Sequence, residues 1–224
     1  VAKVGTTTPT LALALQTLGN RRWNYLAYPA AVTQDTTDIV AWIKSRRNVD
    51  YKTYKAVIAD NVANDEGIIN FTTDEIAVGA AKYTTEQFTS RIAGLAAGVG
   101  ITSSLTNYTL EEVDSVKDLD NDTARNAAID AGQLILVNNG EEVVIARGVN
   151  SKTTTSSPRE AMFKKIRIIE IKDQMRDDIT TTINKAYKGK VINIYDNKMI
   201  LVGAINNYFR SLEAQSALDP SFNN

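Results

Sequence analysis

The stretch KAVIA, Lys55 to Ala59, and its follower GIINF, Gly67 to Phe71, decide the fold class. Each is a short apolar run rich in β-branched residues and bounded by Asp, Asn or Gly, the mark of a compact buried strand. Working back from KAVIA, Thr36, Thr37 and Asp38 supply N-capping side chains for a helix carrying Ile39, Val40, Trp42 and Ile43. That helix closes on KSRRN, which puts cations in its last turn, where the helix dipole favours them. Before it, Trp23 to Tyr28 reads as a strand ending at Pro29. Strand, helix and strand in that order predict a βαβ unit and a partly parallel sheet.

Further out, Thr8-Pro9 opens a first helix with the apolar stripe Leu11, Leu15 and Leu18, stopped by Gly19. Thr84 and Gln87 form a capping box for a helix whose inner face is Phe88, Ile92, Leu95, Ala96 and Val99. NYTLEEV then reads as a short strand, KDLDND as a charged separator, and Asp122 to Ala131 as a short helix closed by Gly132. Gln133 to Val137 and Glu142 to Arg147 flank an Asn-Gly turn, the clearest hairpin in the chain. After the polar loop SKTTTSSP, KKIRIIEI reads as a strand and QMRDDITTTINKAY as a helix with Met175, Ile179, Ile183 and Ala186 on one face. VINI is a short strand. The last helix, Asn197 to Ala214, turns Ile200, Leu201, Ala204, Ile205, Tyr208, Phe209 and Leu212 inward.

Composition removes whole classes of function. The chain of 224 residues has 25 Lys plus Arg against 26 Asp plus Glu, so it lacks the basic excess of a nucleic-acid binder. With no cysteine there are no disulfides, thiolate metal sites or Cys nucleophiles, and with no histidine there is no Ser-His-Asp chemistry. No apolar run approaches the roughly 20 residues that span a bilayer, and the N-terminal segment does not have the form of a signal peptide. The chain begins without Met, as expected of a fragment or a processed product.

The remaining motifs fail as chemistry. Gly98-Val-Gly100-Ile-Thr-Ser103 approximates a dinucleotide fingerprint, but it follows a helix, where a phosphate would face the negative end of the dipole. Gly98 and Gly100 are instead read as the end of that helix and a turn, and Gly94 as a close-packing point. Asp118, Asp120 and Asp122 have calcium-loop spacing, yet Thr123 stands where the loop needs Gly and Ile129 where it needs a bidentate Glu. A linker ending in a helix cap fits better. Asp177 and Asp178 are read as an exposed helix face, and Glu111 and Glu112 as strand neighbours facing opposite sides. Trp23, Tyr25 and Tyr28 are read as packing residues, and Lys44, Arg46 and Arg47 as a capped helix end or a protein contact. No cofactor, metal or catalytic residue is assigned. The residues alone describe a structural or interaction protein, the alternative being an α/β enzyme or ligand-binding domain with a site at the strand ends near Asp60 and Asn61.

Three blocks in series carry a resemblance: RIAGLAAGVGITSSLTNYTLEEV (91–113), AGQLILVNNGEEVVIARGVNSKTT (131–154), and KKIRIIEIKDQMRDDITTTINKAYKGKVIN with MILVGAINNYFRSLEAQSALD (164–219). Together they resemble the contractile tail sheath proteins of myophages, with the flavour of Gram-positive prophage elements and R-type bacteriocins. The first 80 residues resemble the family more loosely, through NYLAYP, VAWIKSRR, KAVIADN and GIIN.

The resemblance implies an α/β domain called subtilisin-like for its fold, N-terminally incomplete here and spanning residues 1–110. A smaller α+β inner domain over 111–224 would follow, with a hairpin and two long helices. It implies a homopolymer of hexameric rings around a tail tube protein, joined to a baseplate, with no nucleic acid and no membrane insertion. The particle would be a virion tail or bacteriocin assembled in the bacterial cytoplasm, and the chain a core without the terminal arms that add strands to neighbouring subunits. A core without those arms is expected to be monomeric or weakly associating. Asn206, Asn207 and Arg210, on the outer face of the last helix, are the expected tube-facing residues. A static shell or baseplate component on a related fold is the third reading.

Overall fold

The computed structural model describes residues 10–219. Its centre is a four-stranded, all-parallel sheet of β1 (Tyr25–Ala27), β2 (Lys55–Ala59), β3 (Ile68–Phe71) and β7 (Gln133–Leu134), in the order β1-β2-β3-β7. Tyr25 lies opposite Lys55, Ala56 opposite Ile68, and Asn70 opposite Gln133. KAVIA and GIINF are therefore adjacent central strands, and β1 reaches β2 through α2 (Thr33–Asn48), the predicted βαβ unit.

Successive side chains of β2 and β3 point to opposite faces and feed two cores. Val57, Ile69 and Phe71 join Phe88, Ile92 and Leu95 of α3 (Thr85–Gly98), along with Leu134 and Ile145. Ala56, Ile58 and Ile68 join Ile39 and Ile43 of α2 and Leu15 of α1 (Leu11–Gly19). On that second face Trp23, Trp42 and Tyr54 stack nearly parallel, with Trp23 and Tyr54 centroids 4.2 Å apart. The aromatics of the first strand are thus core and anchor residues. The first core contains Leu110 and Val113 with Leu134 and Leu136, so one apolar cluster runs across position 110.

Two small sheets complete the first part. β4 (Asp74–Val78), β5 (Ala81–Tyr83) and β6 (Ser115–Lys117) form an antiparallel sheet that the sequence reading missed; β4 and β5 join across Gly79 at φ +57. β8 (Leu136–Asn138) and β9 (Val143–Ile145) are the Asn-Gly hairpin, pairing Leu136 with Ile145 and Asn138 with Val143. Gln133 and Leu134, assigned to the same arm, belong instead to β7 of the large sheet. Between β6 and β7 lies α4 (Asp122–Asp130), capped by Asn121. Gly132 behind it sits at φ +74, where a Cβ would lie 3.0 Å from the Ser151 backbone.

The capping box of α3 is present, with Thr84 and Gln87 exchanging both bonds. Other expectations need correction. α1 is capped by Thr10, and the Thr8-Pro9 start falls outside the described residues. α2 begins at Thr33, so Thr36 and Thr37 lie inside its first turns and donate their hydroxyls to the Thr33 carbonyl. α3 does end at Gly98, and the turn after it is closed by the Ser103 N–H on the Gly100 carbonyl, with no positive φ at either glycine; Gly94, however, is not a close-packing point, since a Cβ there would meet nothing within 4 Å. NYTLEEV forms only a single bridge, Thr109 to Val144, beside the hairpin.

The largest correction is KKIRIIEI. After the short α5 (Pro158–Ala161), this segment is the start of α6 (Ile166–Thr182), extended by a π-turn over Ile183–Tyr187. Its β-branched composition reads as a strand, but the buried positions Ile166, Ile169 and Asp173 recur at helical spacing. VINI is an exposed lead into α7 (Tyr195–Ala214) rather than a strand. α7 packs on α6 through half-buried Leu201, Ile205 and Tyr208, and Leu212 near its end is buried, whereas Ile200, expected inward, is 62% exposed and Ala204 is also exposed. Tyr208 donates its hydroxyl to Asp178 at 2.7 Å, closing the helix pair. Among the described residues no helix is long and apolar enough to cross a membrane.

Candidate functional site: an ionic junction beneath the C-terminal helices

The most concentrated electrostatics lie where α6 crosses the N-terminal ends of β1 and β2. The last turn of α2 points Arg47 inward rather than to solvent. Its guanidinium grips Asp173 of α6 with both nitrogens, at 2.7 and 3.1 Å, a fork-on-carboxylate geometry that fixes direction as well as distance. The same group reaches Glu66 at 3.1 Å and the Tyr54 carbonyl at 3.3 Å. Lys55, the first residue of β2, donates to Glu170 at 3.0 Å and stands 3.5 Å from Asp173. Its ammonium also lies 5.0 Å from the ring centroid of Tyr25, whose hydroxyl donates to Glu170. Lys172 completes the set by donating to Glu66.

Three cations thus face three carboxylates. The central pair is dry: the side chains of Arg47 and Asp173 are 6% and 4% exposed. Burial alone would depress the Arg47 pKa, but the hydrogen bonds and charge of Asp173, then Glu66, outweigh it and raise the net value. Glu66 shows the converse. Burial pushes its carboxyl up, yet hydrogen bonds and charge from Lys172 and then Arg47 hold it below the ordinary 4.5. Tyr25 is raised well above its usual 10.0, first by burial and then by the Glu170 charge, so it remains a proton donor.

The backbone is shaped around this cluster. A Cβ on Gly67 would come within 2.4 Å of Arg47 Cδ and 2.8 Å of Nε. The guanidinium is pinned at its far end, so the stem has no free path aside. Gly67 is therefore the residue that lets the chain turn into β3 over the arginine.

The site residues proposed from sequence lie elsewhere. Asn206, Asn207 and Arg210 are exposed on α7. Asp118 and Asp122 are held by Arg125, and Asn121 between them caps α4. Asp177 and Asp178 do diverge, but they are half-buried and partnered rather than a bare exposed face: Asp177 accepts from Thr53 at 2.9 Å, and Asp178 from Tyr208. Glu112 pairs with Arg91. At the strand ends, the Asp60 carboxyl is raised by burial and then by Glu86 and Asp74. Asn61 donates its N–H to Asn70 Oδ1, and Asn70 Nδ2 is a buried nitrogen without a partner among the described residues.

Sequence reasoning missed the junction because its members are scattered over more than a hundred positions. Two signals existed. Lys55 opens a strand that is otherwise wholly apolar, and Asp173 occupies a position on the buried stripe of α6. A charge on a core face implies a buried counter-charge.

A doubly wound core, a small antiparallel sheet, and a helix pair riding on an ionic junction define a mixed α/β structural module. Comparison with known proteins places that module. The chain belongs to the phage tail sheath family: residues 5–151 match the family's central domain and residues 159–224 its C-terminal domain. It is 36% identical over 208 residues to the tail sheath protein of Clostridium phage phiCD119, an alignment covering 93% of this chain and 58% of that protein. The fold matches the crystal structure of a sheath tail protein from Desulfitobacterium hafniense, with a TM-score of 0.87 at 22% identity, covering 93% of this chain and 50% of that one. It also matches the anti-feeding prophage helical sheath in its contracted state, with a TM-score of 0.68 at 14% identity, covering 96% of this chain and 61% of the other. The chain thus spans about half to three-fifths of the length of these relatives.

Proposed function

We propose that the full-length protein containing this chain is the structural subunit of a contractile tail sheath. It polymerises as hexameric rings around a tail tube, above a baseplate, and shortens to drive the tube through the target envelope. The observation that carries this reading is the match to both sheath domains, in family order, over nearly the whole chain. The relative described as a contracted helical sheath supports the shortening step. Energy for such a step needs no cofactor: an extended lattice can be a kinetic trap, with a more tightly packed lattice lower in free energy. Assembly in the bacterial cytoplasm, the subtilisin-like description of the first domain, and tube contact through Asn206, Asn207 and Arg210 belong to the same proposal.

The division of the chain belongs to it too. The boundary at 110/111 competes with one between 151 and 159, where the two family matches meet. The apolar cluster running from Leu110 to Leu134 and Ile145 favours the later one. Limited proteolysis separates them: first cuts in the 152–158 loop support the later boundary, and first cuts near 111–120 the earlier.

The test of function is electron microscopy of the full-length protein produced with its neighbouring gene products. Cylinders of two lengths, extended and contracted, are expected. A single unshortened lattice would instead make it a static shell or baseplate component, and a ligand that reproducibly stabilises the chain would reopen the enzyme reading.

A further inference from the structure

Below the ionic junction, one turn further along α6, a cleft of about 720 Å³ opens between the turn after α1, the loop from α2 to β2, and α6 itself. Its walls carry Arg21, Arg22, Lys52 and Arg176 against Asp50 and Asp177. Both acids are already engaged, Asp50 by Arg46 and Asp177 by Arg22. Arg21, Lys52 and Arg176 therefore have no carboxylate partner among the described residues. The cleft is also built rather than loose. Tyr54 donates its hydroxyl to the Arg21 carbonyl at 2.6 Å, Thr53 bonds Asp177, and the Lys52 N–H bonds the Arg46 carbonyl at 2.9 Å. On its rim Tyr51 is 66% exposed and held at φ +56, with the Arg176 guanidinium 4.9 Å over its ring. An exposed aromatic in the left-handed region is an uncommon arrangement for a side chain with nothing to do.

The complementary surface lies on the same chain. Hydrogen bonds from Asn138 N–H to Asp118 (3.0 Å) and from the Thr109 hydroxyl to Glu142 (2.9 Å) tie three segments into one rim at the hairpin turn. Glu111, Asp120 and Glu141 on this rim are exposed and have no cation partner among the described residues. The cleft sits at the N-terminal ends of the parallel strands, beside the β1 edge. The rim sits past the C-terminal end of β7, the opposite edge. The two surfaces are diagonally opposed, so one molecule cannot pair them with each other.

We propose that the cleft receives the acidic hairpin rim of a second copy of this chain. The contact is heterologous, the type that generates rings or helical arrays instead of closed dimers. It rests on the self-assembly reading above and adds to it a particular pair of surfaces.

The 224 residues contain no cysteine, and with any cysteine elsewhere in the full-length protein replaced by serine, engineered cross-links report on the pairing directly. Lys52→Cys and Asp120→Cys are introduced separately into the full-length protein, and the two variants are mixed, assembled and oxidised. A 52–120 cross-linked dimer is expected, several-fold above the like-with-like dimers formed by either variant alone. Reversal by Lys52→Glu with Arg176→Glu should abolish assembly of the variant on its own, and adding Asp120→Lys with Glu141→Lys to the same chain should restore it. Assembled particles without the 52–120 cross-link would overturn the pairing alone. Wild-type protein that sediments as a monomer under every assembly condition would overturn the pairing together with the self-assembly reading. Charge-reversed protein that assembles normally would also overturn the pairing, whatever the cross-linking shows.

Discussion

Replacing Asp173 by Ala leaves the Arg47 guanidinium in a pocket where it is 6% exposed, with Glu66 and one backbone carbonyl as its remaining acceptors. Breaking a buried pair by removing one partner costs about 3–5 kcal/mol, because the surviving charge is left without full compensation. Lys55, 3.5 Å from the same carboxylate, loses a neighbour too, which places the expectation in the upper half of that range. For a domain of this size about 1 kcal/mol moves the midpoint by roughly 2–4 °C, so Asp173→Ala should lower the melting temperature by about 8–20 °C.

The protein carries its own control. Arg46–Asp50 is one residue away in sequence, but its side chains are 36% and 37% exposed, and Asp50→Ala should cost under about 1 kcal/mol. A second variant separates unpaired charge from lost packing. Arg47→Met combined with Asp173→Leu removes both charges and should recover most of the loss. Urea and thermal unfolding followed by circular dichroism read all three. If Asp173→Ala costs no more than Asp50→Ala, or if the apolar pair is no better than the single change, the cluster is not the dry junction described here.

Acid should attack the same place. The Glu66 pKa is depressed in the folded chain, so its contribution is complete above the ordinary 4.5 and is lost as pH falls through the lower folded value. Unfolding midpoints should therefore be insensitive to this group from about pH 5 to 8 and decline below, and Glu66→Gln should flatten that acid limb. Gly132→Ala should destabilise by about 2–4 kcal/mol, combining a left-handed φ of +74 with a Cβ 3.0 Å from the Ser151 backbone; Gly94→Ala, which meets nothing, should be neutral or slightly stabilising in its helix. Thr84→Ala should cost about 1 kcal/mol through loss of the α3 cap, read as a small fall in midpoint with unchanged spectra.

What the sequence made legible follows from how local each signal is. KAVIA, GIINF, the α3 capping box and the Asn-Gly hairpin are decided within a few residues, and each stands where its pattern put it. KKIRIIEI misled because its β-branched residues carry a strand propensity that tertiary contacts override. The helix is selected by what it must bury, Ile166 and Ile169 against the core and Asp173 against Arg47, and none of that is written within the segment. β4, β5 and β6 were missed because they are short and mostly solvent-facing, and because the β4–β6 pairing links residues some forty positions apart. The junction failed to appear for the same reason: its charges come from α2, β2, the loop before β3, and α6.

That distribution bears on why the junction is ionic at all. Apolar contact between α6 and the sheet would hold the helices as firmly, since buried ion pairs are poor net stabilisers. It would not fix their angle, because apolar surfaces slide at little cost whereas a two-pronged guanidinium–carboxylate pair tolerates little rotation. If the chain moves within a lattice as a rigid piece, as proposed above, direction matters more than strength. The apolar pair Arg47→Met and Asp173→Leu separates the two: we expect near wild-type unfolding midpoints with faster amide exchange along α6 and α7. Unchanged exchange in that variant would mean that packing alone orients the helices, and that the charges are tolerated rather than used.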